Sequence, residues 1–342
     1  MKTTGMMKSA AAAVLALTLT ACGTSTSAGA PAEPAADAGT EKKSYKVAIV
    51  KQLDHASLDE IANAIAAELD ALAEKNGVEI NYGEIYSGQN DQTTLQQIGS
   101  QAIADGVDVI IPIATLAAQT MTAAAGDTKT PVIYAAISDP EAAELTGIDY
   151  VSGTSDALNT EQIMQMMFTR NTPIKKVGLL YSKSEANSAK PIEEAKKYLD
   201  DNGVEYIEAN GNTNDEVIQA ASSLIGAGVD AVFTPTDNVI MAAELAIAPM
   251  FAEAGIPHFT GADSFVRNGA FTTCGVNYTD LGKKTADLAY DAMTKGMGDM
   301  EDYYLMDGGI VTINTETAEA IGFDYKVLAD FGELVEVVTT ED

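Results

Sequence analysis

From residue 45 onward the chain alternates two kinds of apolar text. Runs such as YKVAIVK (45–51), VDVIIPI (107–113) and PVIYAAI (131–137) are apolar on successive residues and rich in Val and Ile, the pattern of strands covered on both faces of a parallel sheet. Longer stretches with helical spacing separate them. In SLDEIANAIAAELDALAEKNG (57–77), Ile61, Ile65, Leu69 and Leu72 share one face, and Gly77 suits a C-terminal cap. VEINYGEIY (78–86) predicts a further strand, while TTLQQIGSQAIADG (93–106) and LAAQTMTAAAG (116–126) predict helices.

The programme then restarts. KKVGLLYS (175–182), AKPIEEAKKYLDDNG (189–203), VEYIEAN (204–210), DEVIQAASSLIGAG (215–228), VDAVFTPT (229–236), NVIMAAELAIAPMFAEAG (238–255) and PHFTGA (257–262) repeat the strand and helix order. Landmarks recur with it: NGVE at 76–79 and 202–205, Gly-Val-Asp at 106–108 and 228–230, and a Pro-led strand at Pro131 and Pro257. The chain of 342 residues therefore reads as two similar doubly wound α/β lobes, each burying its own parallel sheet. Two such lobes facing each other make a cleft, lined by loops that leave the carboxyl ends of strands and enter helix N-termini. Those N-termini favour anionic groups such as carboxylates.

Composition narrows the function. Apolar residues make up 46% of the chain, ample for two cores, and 50 acidic against 20 basic residues give a net charge of −30. Such a field repels phosphate backbones and anionic lipid surfaces, which argues against nucleic-acid binding. The N-terminus differs from the rest. Lys2 and Lys8 precede the apolar run AAAVLALTLTA (11–21), too short to span a bilayer and shaped like an export signal. LTACG (19–23) resembles a bacterial lipobox, which implies removal of residues 1–21 and lipid attachment to Cys22. Residues 22–43, rich in Gly, Ala, Pro and Ser, then read as a flexible tether to the outer face of the membrane. The other cysteine, Cys274, reads as a small core residue.

The strand-end loops are rich in hydrogen-bonding residues: KQLDHAS (51–57), IATLA (113–117), AISDP (136–140), YSKSEANS (181–188), PTDN (235–238) and GADSF (261–265). Asp91, Ser57 and Ser264 are read as helix caps. Thr115, Ser138, Asp139 and Asp237 fit a zwitterionic ligand, with hydroxyls for its carboxylate and acids for its ammonium, although either Asp also suits a cap. Asn187 and Asn238 are ligand contacts or turn residues, and His55 is a pocket or a capping residue. His258, at the start of a buried strand, is read as structural. Two separated histidines without cysteine partners make no transition-metal site, and no cofactor is expected. The sequence contains no nucleophile elbow, phosphate loop, dinucleotide fingerprint or zinc-protease helix, so binding without turnover is expected rather than an enzyme. The absence of Trp, the usual stacking platform of sugar clefts, lowers the case for a carbohydrate.

Taken together, LTACG, KVAIVKQLDHASLDE, GVDVIIPIATLAAQ, YAAISDP, VSGTSDALN, KKVGLLYSKSEANS, GVDAVFTPTDN and HFTGADSFVRNGAFTTCGVNYTDLG resemble the substrate-binding lipoproteins of ABC transporters, in the tryptophan/tyrosine-binding branch. The resemblance runs from residue 45 to about residue 322. It implies a type I periplasmic-binding-protein fold, acting as a monomer, that closes over an amino acid, often aromatic, and delivers it to an ABC permease. It places His55, Thr115, Ser138, Asp139, Asn187, Asp237 and Asp263 around the ligand, with Asp237 on the ammonium and Thr115 with neighbouring backbone N–H groups on the carboxylate. The chain departs from similar proteins in carrying Ala56 where Pro usually follows the loop histidine. By the same resemblance, chain crossings near 151–159, 277–282 and 303–309 give a first lobe of residues 44–154 plus 278–305 and a second of residues 155–277 plus 306–342. The alternative reading keeps the lobes but makes them a sensor of nucleosides, sugars or other small solutes that signals to a membrane partner. A ligand-responsive repressor would need a DNA-binding headpiece where this chain has a signal and tether.

Overall fold

Each apolar run predicted as a strand pairs in parallel with its neighbours in a computed structural model that describes residues 42–169 and 173–340. The signal segment, Cys22 and most of the tether lie outside the described residues. The first half contributes β1 (Ser44–Lys51), α1 (Ala56–Asn76), β2 (Glu79–Asn81), β3 (Tyr86–Ser87), α2 (Gln92–Ala104), β4 (Val109–Ile113), α3 (Thr115–Ala125), β5 (Val132–Tyr134) and β6 (Val151–Ser155). The second contributes α4 (Thr160–Met167), β7 (Lys176–Tyr181), α5 (Ala189–Asp201), β8 (Glu205–Asn210), α6 (Asn214–Gly226), β9 (Ala231–Thr234), α7 (Asn238–Glu253), β10 (His258–Thr260), α8 (Asp263–Arg267) and β11 (Thr272–Gly275). The chain then runs through α9 (Tyr278–Lys295), β12 (Tyr304–Leu305), β13 (Ile310–Asn314), α10 (Thr315–Ala320) and β14 (Glu333–Val337).

Two seven-stranded sheets result. The first has the order β12-β6-β5-β4-β1-β2, with β3 also on β1; the second has β14-β13-β11-β10-β9-β7-β8. The chain passes between them after β6, after β11 and after β12. The third passage brings β13 in antiparallel to β11, a reversal in sheets whose other named strands pair in parallel among the described residues. Central strands are covered on both faces: Ile49, Val50, Ile110 and Ile111 have no exposed surface. Burying each such side chain contributes roughly 1.5–3 kcal/mol.

The repeated landmarks have a physical cause. In the first lobe Gly106 turns the chain at φ 64°, and Asp108 then receives the Lys46 backbone N–H at 2.8 Å. In the second lobe Gly228 has φ 68°, and Asp230 receives the backbone N–H groups of Lys175 and Lys176 at 2.7 and 3.0 Å. The Gly supplies a left-handed turn that other residues adopt at a cost. The Asp ties the start of the third strand to the first, so both lobes need the same text at the same place.

Candidate functional site

The strands of both sheets end at a shared cleft. From the first lobe, the residues after β4 and β5 bring Ala114, Thr115, Ala136 and Ser138 to it, while His55, Ser57, Leu58 and Ile61 come from the start of α1. From the second lobe come Asn187 after β7, then Thr236 to Asn238 and Met241 around the start of α7, then Ala262 and Phe265 beside α8. The first two crossings add Asp156 and Tyr278. Together they line a pocket with about 390 Å³ of space not filled by protein atoms, part of it open to solvent. Leu58, Ile61, Met241, Ala262 and Phe265 give it an apolar wall.

Five contacts cross the cleft and hold the lobes together. Gln52 Nε2 donates to Glu185 Oε1 at 3.0 Å, and His55 Nε2 lies 3.0 Å from Asn238 Oδ1. Ser138 Oγ lies 3.0 Å from Thr236 Oγ1, and Lys190 Nζ lies 3.1 Å from Asp139 Oδ2. Ser57 and Ser264, read from the sequence as helix caps, instead hydrogen-bond each other across the gap. Asp91 does cap, receiving the Thr94 N–H at the start of α2.

The seven expected ligand residues separate into two groups. His55, Thr115, Ser138, Asn187 and Asp237 line the cavity. Asp139 and Asp263 do not. Asp139 receives the Ala142 N–H and pairs with Lys190, and Asp263 pairs with Arg267 at 3.0 Å. Asp237 needs a correction of role. Its Oδ1 accepts the Val239 and Ile240 N–H groups at 3.1 and 3.0 Å, and its Oδ2 accepts the Ser182 N–H and the Ser188 hydroxyl at 2.7 Å each. Four donors fill a carboxylate, so this side chain caps α7 and has no acceptor left for an ammonium.

Sequence reasoning missed Asp156. It follows β6 directly, and its segment was read only as a crossing; the strand-end rule applied to the other loops would have found it. Asp156 is 5% exposed, with Oδ1 accepting from the Ser138 hydroxyl at 2.9 Å and Oδ2 from the Tyr278 hydroxyl at 3.0 Å. Both donors are neutral, so burial pushes its carboxyl above the usual range. It is the acid of the cavity that lacks a charged partner or a filled shell.

Outside the pocket lining, bonded to Asn238, lies another buried carboxyl. Glu185 is 5% exposed and accepts from Gln52 and, at 2.6 Å, from Asn238 Nδ2. Burial and the nearby charge of Asp237 push its pKa up to about 7. His258 sits outside the cavity between Glu244 and Thr234, at 3.0 and 2.8 Å. Cys274 is buried and unpaired, and burial pushes its thiol up to about 11. Among the described residues no group of three His, Cys, Asp or Glu could hold a metal ion, and no helix is long and apolar enough to cross a membrane.

Comparison with known proteins places this geometry. Residues 46–326 match the model of the ABC transporter substrate binding protein family. The chain is 32% identical over 295 residues to a tyrosine-binding protein of Clostridioides difficile, covering 84% of each chain. Among solved structures, the ABC domain in complex with L-Trp from Streptococcus pneumonia superposes with a TM-score of 0.75 at 26% identity, covering 86% of this chain and all of that one. The ligand-free, open structure of a substrate binding protein with adhesive properties from Clostridium difficile gives 0.63 at 28% identity over the same shares. On its fold, its match across most of its length and its relatives, the chain belongs to the ABC transporter substrate binding protein family.

Proposed function

We propose that this protein captures an aromatic amino acid between its lobes outside the cell and delivers it to an ABC importer, anchored to the membrane by lipid on Cys22. The observation that carries the ligand class is Asp156. A buried carboxylate with two neutral donors, lining the pocket between the lobes, calls for a cation, and an α-ammonium supplies one with three N–H groups. Thr115 sits at the N-terminus of α3, where the helix dipole favours the ligand's carboxylate. The apolar wall of Leu58, Ile61, Met241 and Phe265 receives the side chain. The tyrosine-binding relative and the L-Trp complex support an aromatic ring there. The signal-like segment, the lipobox resemblance and the family support export, anchoring and delivery.

Calorimetry with the standard amino acids tests the ligand class, with tyrosine or tryptophan expected to bind most tightly. Asp156→Asn removes the charge but keeps the size, and should weaken binding by about 10- to 100-fold, the worth of a hydrogen bond to a charged group. Heat from none of the amino acids would sink the reading.

A further inference from the structure

We propose that Gln52, which lies outside the pocket lining, is a positioning residue that latches the lobes shut and so sets how long a bound ligand stays. The inference goes beyond the choice of ligand, and rests on the amino-acid reading above for the probes that test it.

Gln52 follows β1 directly, is 1% exposed, and is held in place by the first lobe alone. Its backbone N–H donates to Ile113 O at 3.1 Å, and its backbone O accepts the Asn90 N–H at 2.9 Å. The direction of its side-chain amide follows from a third bond. A backbone N–H can only donate, so the Leu116 N–H, 2.9 Å away at the start of α3, identifies the amide oxygen. Nε2 therefore carries both donors. One reaches Asn90 Oδ1 at 2.9 Å, and the other crosses the cleft to Glu185 Oε1 at 3.0 Å. A donor held this way needs no reordering when the lobes meet.

The acceptor is fixed as firmly in the second lobe. Glu185 is buried in the loop after β7, where its other oxygen accepts Asn238 Nδ2 at 2.6 Å. Asn238 opens α7 and lines the pocket. Closing the cleft carries the Glu185 carboxyl out of water, and Gln52 supplies a donor to it from the opposite lobe, so this bond forms and breaks with the cleft itself. The other four contacts across the cleft are weaker devices. The Lys190 side chain that pairs with Asp139 is 60% exposed, and exposed ion pairs contribute little. Two are hydroxyl pairs, and the last joins the neutral ring of His55 to an amide. A hydrogen bond to an ionised group is about twice as strong as a neutral one, and a buried charge left short of a donor is the costly case.

The test is equilibrium and stopped-flow binding of L-tyrosine and L-tryptophan to the full chain at pH 8, where Glu185 is ionised. Gln52→Glu keeps an oxygen for the Leu116 N–H, and the exposed Asn90 amide can turn to suit it, so the change falls on the bond to Glu185. The dissociation rate should rise at least about tenfold, by the same factor for both amino acids, with the association rate within about threefold of that of the unaltered chain. Adding Glu185→Gln exchanges the two roles. The new amide nitrogen donates to the new carboxylate while its oxygen still accepts from Asn238, and most of the loss should be recovered. Glu185→Asp keeps the charge but shortens the reach from the other lobe, and should raise the dissociation rate in the same way even if Gln52→Glu fails to fold. An unchanged dissociation rate in Gln52→Glu or Glu185→Asp, losses that differ severalfold between the two ligands, or no recovery in the double variant overturns the inference and leaves the amino-acid reading standing. No binding of either amino acid to the unaltered chain overturns both.

Discussion

Ala114 closes β4 with φ 76° and ψ 164°, backbone that only glycine adopts freely, and Ala136 leaves β5 with φ 56°. Both line the cavity, and each turns the chain so that the next hydroxyl, Thr115 or Ser138, reaches it. Such a conformation costs about 1–3 kcal/mol, against about 0.5–1 kcal/mol for the extra chain entropy that glycine loses on folding. Ala114→Gly should therefore stabilise the protein by about 1 kcal/mol, read as a rise of a few degrees in melting temperature; a lower melting temperature would mean the strain is not there. Nothing in the sequence announces an alanine in this state. Residue types at the strand ends were legible, because topology alone sends those loops to the cleft, where His55, Thr115, Ser138, Asn187, Asp237 and Asn238 line the pocket. Roles were less so: an Asp that caps a helix and an Asp that is only partly satisfied beside the cleft have the same neighbours in sequence, and only the four donors around Asp237 distinguish it from Asp156, which has two.

At the scale of elements, the repeated strand and helix order was readable because burial on both faces forces continuous apolar runs. The run VEINYGEIY, read as one strand, divides into the short β2 and β3 with Gly83 at φ 58° between them. The antiparallel β13 left no signature, since its partner β11 lies about 40 residues earlier and is met only after the chain has visited the other lobe. Helix contacts were equally hidden. α1, which gives Leu58 and Ile61 to the apolar wall, packs on α9 at Gly282, where an added Cβ would lie 2.6 Å from Ala64 Cβ and 2.7 Å from Ile61 O. Gly282→Ala gains about 1 kcal/mol of helix propensity but meets overpacking of about 1–3 kcal/mol, with backbone on one side that cannot yield. A net loss of about 1 kcal/mol is expected in urea unfolding. Gly226→Ala, at the end of α6 with nothing within 4 Å of the new methyl, should be neutral or stabilising in the same assay. If both variants behave alike, the close approach of α1 to α9 is wrong.

For the whole molecule, the central question is what closing the cleft does to Glu185. Its bond to Gln52 joins the two lobes, so opening exposes the carboxyl to water and returns it toward the ordinary glutamate value, near 4.5. In the closed form the groups facing it are Gln52, Asn238 and the carboxylate of Asp237, with His55 held neutral beyond Asn238; no Lys or Arg pairs with it among the described residues. Burial and the Asp237 charge raise its closed-state pKa to about 7, so closure takes up a proton between the two values. A group whose pKa is raised by a transition favours that transition fully below the lower value and loses the advantage as pH rises through the higher one. Ligand affinity should accordingly fall as pH rises from about 5 to 7, by up to about tenfold per unit, and level off above. Calorimetry in buffers of different ionisation enthalpy would show proton uptake on binding in that window. Glu185→Gln cannot titrate, so its affinity, whatever its absolute value, should lose this slope; a slope that survives in the variant would place the linked proton elsewhere and separate cleft closure from Glu185.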